Sequence, residues 1–160
     1  MLLGILSDSH DHVEPVRAAL KLFDSLGVEF MIHCGDVGGT EVFDQLAGRP
    51  LAFVWGNTDE PDDGLERYVQ AIGIALPSDP PLTLELAGKT LALFHGHERA
   101  FLKASALAGV DYILHGHTHV ARNEQRGRVR YINPGALHRT PRKSVATLDL
   151  EIDRVEFYEI

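Results

Sequence analysis

Apolar residues occur in short runs along this chain, and each run stops in a polar loop. Leu2 to Leu6 is continuously apolar, a pattern typical of a central parallel strand that is buried on both faces. Phe30 to Ile32 and Leu51 to Trp55 are two further runs of this kind. The pattern therefore predicts three buried strands near the start of the chain.

Between these runs the apolar residues change to helical spacing. Glu14 to Leu26 has apolar side chains every three or four residues, and Gly27 is placed to end a helix there. Glu41 to Leu46 predicts a second, shorter helix. The order strand, helix, strand, helix, strand implies parallel pairing with right-handed crossovers. We therefore expect an α/β protein.

The rest of the chain favours hairpins. Leu82 to Leu86 alternates apolar and polar residues, and Thr90 to Phe94 returns after a short turn, which is a β-hairpin pattern. The other predicted elements are helices over Asp63 to Ile72 and Arg99 to Leu107, and a strand over Val110 to Leu114. A second hairpin is predicted to turn at Arg126-Gly127-Arg128 and to continue through Val129 to Ile132, and a last hairpin pairs Ser144 to Leu150 with Val155 to Ile160.

Five polar loops follow apolar runs and share a content of Gly, His, Asp or Asn. They are Ser7 to His10, Gly35–Asp36, Gly56 to Asp59, His95 to His97, and Gly116 to His119. In open parallel sheets, ligands bind beyond the carboxyl ends of the strands, where these loops are expected to lie. Imidazole together with carboxylate and amide oxygens suits first-row divalent ions. Taken together, the loops predict one two-metal site, although each loop alone is compatible with a simple turn or cap.

Composition changes this picture only in detail. The 160 residues are about one domain long, so we expect residues 1–160 to form a single domain. A formal net charge of -8 argues against a broad basic surface for long nucleic acid. Two divalent ions would make one pocket positive, so an acidic chain can still attract a phosphate there.

The cysteine content and the first residues bear on location. Cys34 is the only cysteine, so an internal disulfide is excluded, which suits a reducing compartment. Met1 to Leu6 lacks the basic residues of a signal peptide, and no apolar run approaches the ~20 residues that span a bilayer. We expect a cytoplasmic protein without a membrane partner. The sequence leaves open whether it forms a homo-oligomer.

The five loops, in this order, resemble those of the calcineurin-like metallophosphoesterases. With the trailing Asn133-Pro134-Gly135, the chain is most similar to the small, single-domain bacterial and archaeal phosphodiesterase branch. The resemblance implies two mixed β-sheets packed face to face and flanked by helices. It also implies metal-dependent hydrolysis of small phosphodiesters, with a metal-activated hydroxide as the nucleophile.

The resemblance further implies two ion sites that share one carboxylate. The first ion would be held by Asp8, His10, Asp36 and His119, and the second by Asp36, Asn57, His95 and His117. Asp36 is thus the expected bridge. Mn²⁺ is the expected ion, with Ni²⁺, Fe²⁺, Co²⁺ and Zn²⁺ as alternatives.

Other residues are expected to act beside the ions. The catalytic candidates are Asp36, Asn57, Asp59 and His97. Asp59 is expected to orient its neighbours, and His97 either contacts phosphate or forms a local hydrogen bond. Thr58 stands where many relatives have a histidine that assists the leaving group, and Ala136 stands where relatives often have serine. His12, His33 and His138 have no ligand position left and are expected at the surface or behind the ligands.

Three other functions compete with this one. A protein-interaction scaffold can keep the fold and lose ligands, as the retromer subunit of this fold does, whereas all seven ligand positions are filled here. A phosphomonoesterase would use the same ligands. A specific nuclease is disfavoured by the acidic composition and the lack of a basic, aromatic groove.

Overall fold

The computed structural model describes residues 1–160, apart from the side chains of Ser105 and Ala106. Its strands form two five-stranded sheets. The strands of the first sheet are β1 (Leu2–Leu6), β2 (Phe30–His33), β3 (Leu51–Phe53), β9 (Ser144–Asp149) and β10 (Arg154–Glu159). The strands of the second are β4 (Leu82–Leu86), β5 (Lys89–Leu93), β6 (Tyr112–Leu114), β7 (Arg122–Arg126) and β8 (Val129–Asn133).

The first sheet has the order β10-β9-β1-β2-β3. β1, β2 and β3 are parallel, as the alternation of strands and helices predicts. β9 pairs with β1 in the antiparallel sense, and β10 continues the ladder from β9. The last predicted hairpin is therefore the antiparallel edge of this sheet.

The second sheet has the order β4-β5-β6-β8-β7. Two antiparallel hairpins form its edges, while β5, β6 and β8 are parallel to one another in its centre. The hairpins are predicted by the sequence, but their parallel junction through β6 is not. Both sheets are mixed, so the expected fold class, with helices outside a sheet pair, is confirmed.

Three α-helices lie in the described chain: α1 (Val13–Leu26), α2 (Thr40–Leu46) and α3 (Asp63–Ala71). α1 ends at Gly27, whose left-handed φ of 73° is strained for a residue with a Cβ. α3 begins at Asp62, whose carboxylate accepts a hydrogen bond of 2.8 Å from the Leu65 amide. The acidic run before α3 is thus a helix start, as predicted.

The prediction of a regular helix over Arg99 to Leu107 is wrong in type and length, because the structure has a 3-10 helix at Phe101–Ala106. Phe101, Ala104 and Leu107 pack against the outer face of the second sheet. Their spacing of three residues matches the three-residue turn of a 3-10 helix. β3 is also shorter than predicted because its ladder ends at Phe53, and β6 is shorter because its ladder begins only at Tyr112.

The side chains pack in three layers. The layer between the sheets includes Leu3, Ile5, Ile32, Leu93 and Leu114, all fully buried. α1, α2 and α3 cover the outer face of the first sheet around Phe23, Phe43 and Phe53. A smaller cluster around Phe94 and Ile113 lies outside the second sheet. None of the described helices combines the length and the hydropathy that a bilayer crossing requires.

Candidate metal centre

The loops after β1, β2, β3, β5 and β6 meet at one edge of the sheet pair, because these strands end there. Five predicted ligands lie in these loops with positive φ values between 43° and 67°: Asp8, His10, Asp36, His117 and His119. Side chains with a Cβ avoid this region, and such strain is concentrated at functional sites. The left-handed backbone at these residues turns their side chains towards one another.

Two glycines allow the loops to approach one another. A Cβ on Gly56 would overlap the Oδ1 and the amide nitrogen of Asp36. A Cβ on Gly116 would overlap the Ser7 hydroxyl and lie 2.8 Å from Asp8 Oδ2. The Gly-Asn and Gly-His pairs of the sequence therefore serve close packing of ligand loops.

The first group of candidate ligands consists of Asp8, His10 and His119, whose donor atoms all lie within 4.8 Å of one another. Asp8 Oδ1 is 3.1 Å from His119 Nε2. Asp8 Oδ1 and His10 Nε2 are both buried without a hydrogen-bond partner among the described residues. Since a buried polar atom without a partner is costly, these two atoms mark a place that fits a cation.

The second group consists of Asp8, Asp36 and His95. Asp36 Oδ2 lies 3.5 Å from His10 Nε2 and 3.4 Å from His95 Nε2, between the two groups. Asp36 therefore contacts a histidine of each group. Asp8 belongs to both groups as well, which the sequence does not predict.

The histidines are held by backbone carbonyls on their far side. His95 Nδ1 donates to the Cys34 carbonyl at 2.8 Å, and His119 Nδ1 lies 3.3 Å from the Arg139 carbonyl. Such contacts fix the tautomer and leave Nε2 with a lone pair. In His95 that lone pair faces Asp36 Oδ2 and, at 3.0 Å, Asn57 Oδ1. Three facing acceptors require a proton or a cation between them, so the donor set fits a metal ion.

The protonation states also suit a cation. Burial lowers the pKa of His10 to about 4, which keeps the imidazole neutral. Burial opposes ionisation of Asp36, but hydrogen bonds from the Thr58 amide and from a protonated His95 outweigh it and lower the Asp36 pKa. Burial also opposes the charge on His95, but the contact with Asp36 outweighs it and raises the His95 pKa, so a metal ion would take the place of that proton. Asp8 is the exception, because burial raises its pKa and opposes the ionised form. Neutral imidazoles and ionised carboxylates are the forms that bind metal.

His117 and His97 lie beside these groups. The His117 ring centroid is 5.0 Å from that of His95, and its amide donates to Asp8 Oδ2 at 3.2 Å. His117 is not in either of the two groups found among the described residues. His97 has a 38% exposed side chain, with its ring centroid 5.4 Å from that of His95. Both therefore line the open side of the site.

Asp59 ties two ligand loops together. Its Oδ2 accepts hydrogen bonds from the Gly56 amide at 2.7 Å and from the Val37 amide at 3.2 Å. Its Oδ1 accepts from the Gly38 amide at 2.9 Å. Both oxygens are thus used in holding the loop after β2 against the loop after β3, an arrangement that suits an orienting role.

Thr58 contacts a candidate ligand. Its hydroxyl lies 3.2 Å from His10 Nδ1, and its amide donates to Asp36 Oδ1 at 2.9 Å. The side chain therefore lies at the site, where its hydroxyl can orient the imidazole but cannot supply an acidic proton. Ala136 is fully buried.

The histidines without a predicted ligand position differ from one another. His33 is fully buried, and its Nε2 donates to Ser9 Oγ at 2.8 Å, since that hydroxyl donates to the Val37 carbonyl. Burial lowers the His33 pKa to about 3. His12 and His138 instead stack with ring centroids 3.4 Å apart, and His138 lies 6.0 Å from His10. His33 supports a ligand loop, whereas the stacked pair flanks the site.

Sequence reasoning missed two supports of the site. Glu98 accepts hydrogen bonds of 2.7 Å from the amides of His95 and Gly96, so its carboxylate closes that loop. Asn133 donates to the Gly116 carbonyl at 2.8 Å and to the Thr118 hydroxyl at 3.0 Å. A carboxylate three residues beyond a histidine in a glycine turn is a signal that could have found Glu98.

Comparisons with known proteins agree with this geometry. Residues 1–153 match a family model described as a calcineurin-like phosphoesterase superfamily domain. A phosphodiesterase of Methanocaldococcus jannaschii is 31% identical over 166 residues, covering 100% of this chain and 98% of that protein. The solved structure of a novel archaeal phosphodiesterase is similar with a TM-score of 0.89 and 28% identity, over 100% of both chains. Vps29 of Entamoeba histolytica, complexed with zinc, has a TM-score of 0.70 and 21% identity over 99% of this chain and 91% of its own, a likeness of fold alone.

Proposed function

The chain belongs to the calcineurin-like phosphoesterase superfamily, and we propose that within it this protein is a binuclear metal-dependent phosphodiesterase acting on small phosphodiesters. The observation that carries the proposal is the convergence of Asp8, His10, Asp36, His95 and His119. Two of their donor atoms are buried without a hydrogen-bond partner among the described residues. The phosphodiesterase of Methanocaldococcus jannaschii, 31% identical over the whole chain, supports the substrate class.

Each residue of the site has a proposed role. Asp8, His10, Asp36 and His119 would hold one ion, and Asp36, Asn57, His95 and His117 the other. Divalent ions at these positions would supply Lewis acidity, lowering the pKa of a water and offsetting charge on the phosphoryl oxygens. Asp36 would bind both ions and so fix the distance between them. Asp59 holds together the loops that carry Asp36 and Asn57.

We propose Mn²⁺ as the native ion, with Ni²⁺, Fe²⁺, Co²⁺ or Zn²⁺ as substitutes. The donor set contains three imidazoles or more, which suits these ions better than Ca²⁺ or Mg²⁺. We also propose that residues 1–160 work as one domain, since one layer of side chains joins the two sheets. A cytoplasmic location is proposed because the Cys34 thiol is free and buried.

A non-catalytic protein-interaction scaffold that keeps this fold is the second candidate, favoured by the likeness of fold to Vps29. A metal titration with bis(4-nitrophenyl) phosphate and 4-nitrophenyl phosphate separates the candidates. The proposed enzyme hydrolyses the diester faster than the monoester, and chelation abolishes the activity until Mn²⁺ is restored. Tight metal binding without turnover of either ester would favour the scaffold, and a faster monoester reaction would favour a phosphomonoesterase.

A further inference from the structure

A cleft of about 710 Å³ opens beside the candidate metal centre, on the side of His119. Three segments of the chain form its walls: residues 118–121, residues 139–144 and residues 157–159. His119 belongs to both places, because its Nε2 faces Asp8 while its ring borders the cleft. A substrate whose reacting phosphate lies at the metal centre would therefore extend into this cleft.

The segment between β8 and β9 brings the cations of the cleft to this position. It crosses from the second sheet to the first, and Leu137 fixes it by donating its amide to the Ser7 carbonyl at 3.1 Å. Leu137 is fully buried, and the Arg139 carbonyl is in contact with His119 Nδ1. The segment is thus bonded to the loops after β1 and β6, next to the ligands.

The charge of the cleft is opposite to that of the molecule. Arg139, Arg142 and Lys143 all line it, and none of them takes part in an ion pair among the described residues. Glu159 is the one carboxylate among its lining residues. Unpaired cations gathered in a chain of net charge -8 favour an anionic ligand.

Apolar side chains also line the cleft. Phe157 is 40% exposed and Val120 is 63% exposed, and both are among the few large apolar side chains that the described chain leaves at its surface. An exposed aromatic face beside cations is suited to a ligand that joins a planar ring to a negatively charged group. The expectation that the chain lacks a basic, aromatic groove is therefore wrong at this cleft.

We infer that this cleft binds the non-reacting arm of the diester and selects an arm that combines an aromatic ring with an additional phosphate, as in a phosphorylated nucleoside. The inference rests on the proposed function, because the reacting phosphate must lie at the metal centre. Arg142 and Lys143 pair with the additional phosphate, and Phe157 packs on the ring. The cleft thus sets specificity without taking part in the chemical step.

Three diesters with the same 4-nitrophenyl leaving group test the inference. Their second arms are methyl, adenosine joined through its 5′ oxygen, and the same adenosine with a 3′-phosphate. Because the leaving group is constant, differences in kcat/KM report binding of the arm. We expect kcat/KM to rise in that order, with the 3′-phosphate contributing about tenfold, the usual effect of one charge-assisted hydrogen bond. Added salt should reduce that factor.

Single substitutions test the basic and the aromatic side chains of the cleft separately. Arg142→Ala should bring the kcat/KM ratio of the phosphorylated to the plain adenosine diester close to one, and Phe157→Ala should lower the ratio of adenosine to methyl diester. Arg128→Ala and Ile152→Ala are the controls, since both side chains are exposed in turns at the far ends of the strands from the cleft. Neither control should change the ratios.

Equal kcat/KM for the two adenosine diesters, with metal-dependent hydrolysis intact, would overturn the inference and leave the proposed function standing. If no diester is hydrolysed, the proposed function fails, and titration calorimetry then decides about the cleft. Adenosine 3′,5′-bisphosphate should bind more tightly than adenosine 5′-phosphate, and Arg142→Ala should remove the difference. Equal affinities in the unmodified protein would refute the cleft as a phosphate site.

Discussion

Asp36 is the side chain that contacts both groups of candidate ligands, because its Oδ2 lies 3.5 Å from His10 Nε2 and 3.4 Å from His95 Nε2. Asn57, by contrast, approaches only His95. We expect Asn57→Ala to lower kcat/KM by about 10- to 100-fold, as loss of one supporting contact at a metal site does, and Asp36→Asn to lower it further. Both variants should be assayed at matched metal occupancy, with circular dichroism as the control for folding. Equal losses would contradict the bridging role of Asp36.

Thr58 determines how the reaction should depend on the leaving group. Its hydroxyl is bonded to His10 and is no proton donor at neutral pH. General acid catalysis contributes roughly 10²- to 10⁴-fold, most where the leaving group is poor. We therefore expect aryl diesters to react much faster than alkyl diesters, with a steep dependence of the single-turnover rate on leaving-group pKa.

A flat dependence would mean that another group supplies the proton. His97 and His138 are the nearest candidates, since one lies beside His95 and the other beside His10. Thr58→His should flatten a steep dependence where the larger ring reaches the leaving oxygen.

Two aspartates in the segment after β3 both accept hydrogen bonds from backbone amides, but they stabilise different parts of the fold. Asp59 joins the loops after β2 and β3, whereas Asp62 starts α3 on the surface. Asp59→Ala leaves three amides without their acceptor and should cost about 2–4 kcal/mol of unfolding free energy together with most of the activity. Asp62→Ala should cost about 1 kcal/mol and spare the activity.

Thermal unfolding and kcat/KM of the two variants measure this difference. In a chain of this size, each kcal/mol shifts Tm by about 2–4 °C, so the two effects are separable. Asp62→Ala is the matched control, because it also removes one aspartate bonded to the backbone. If the activity fell equally in both variants, Asp59 would have no special part in positioning the ligand loops.

The elements also show what sequence can and cannot predict. Leu2–Leu6 and Val13–Leu26 follow from local periodicity, because a buried strand and an amphipathic helix each impose their own spacing. The parallel pairing of β6 with both β5 and β8 does not follow, because it joins two hairpins that are distant in sequence. Local spacing likewise marks residues 99–107 as helical without distinguishing the 3-10 form.

The same limit applies to the site. Loop positions after parallel strands predict that Asp8 and Asp36 meet, whereas His95 and His119 are placed with them by their residue types and by the family resemblance. The presence of Asp8 in both groups of candidate ligands depends on contacts between loops, which no local pattern encodes. The carboxylate of Glu98 lies within the loop of His95 and was overlooked. The roles of Asn57, Asp59, His97 and His117 remain predictions that the kinetic experiments address.

Metal binding should stabilise the fold as a whole. Two buried donor atoms, Asp8 Oδ1 and His10 Nε2, have no hydrogen-bond partner among the described residues, and five of the candidate ligands have positive φ. A ligand at 100 times its Kd contributes about 2.7 kcal/mol. We expect Mn²⁺ to raise Tm by about 5–10 °C at that concentration. Ca²⁺, which prefers oxygen ligands, should raise it less.

Scanning calorimetry of chelated protein, with each ion added back, measures these shifts. Asp36→Asn is the matched variant, because it removes the carboxylate charge from between the two groups while keeping the side-chain shape. Its Mn²⁺-dependent shift should be much smaller. A Ca²⁺ shift equal to that of Mn²⁺, or an undiminished shift in the variant, would contradict a mixed imidazole and carboxylate site.

The pairing of β1 with β9 has a consequence for how the chain folds during synthesis. Leu2 pairs with Asp149, so nearly the whole chain must be made before β1 gains its second neighbour. At about 5–20 residues per second, the ribosome needs roughly 5–20 seconds to proceed from the end of β3 to β9. During that time β1, apolar on both faces, presents an open edge to which other strands can add. The nascent protein should therefore aggregate, or require a holding chaperone, until its last hairpin emerges.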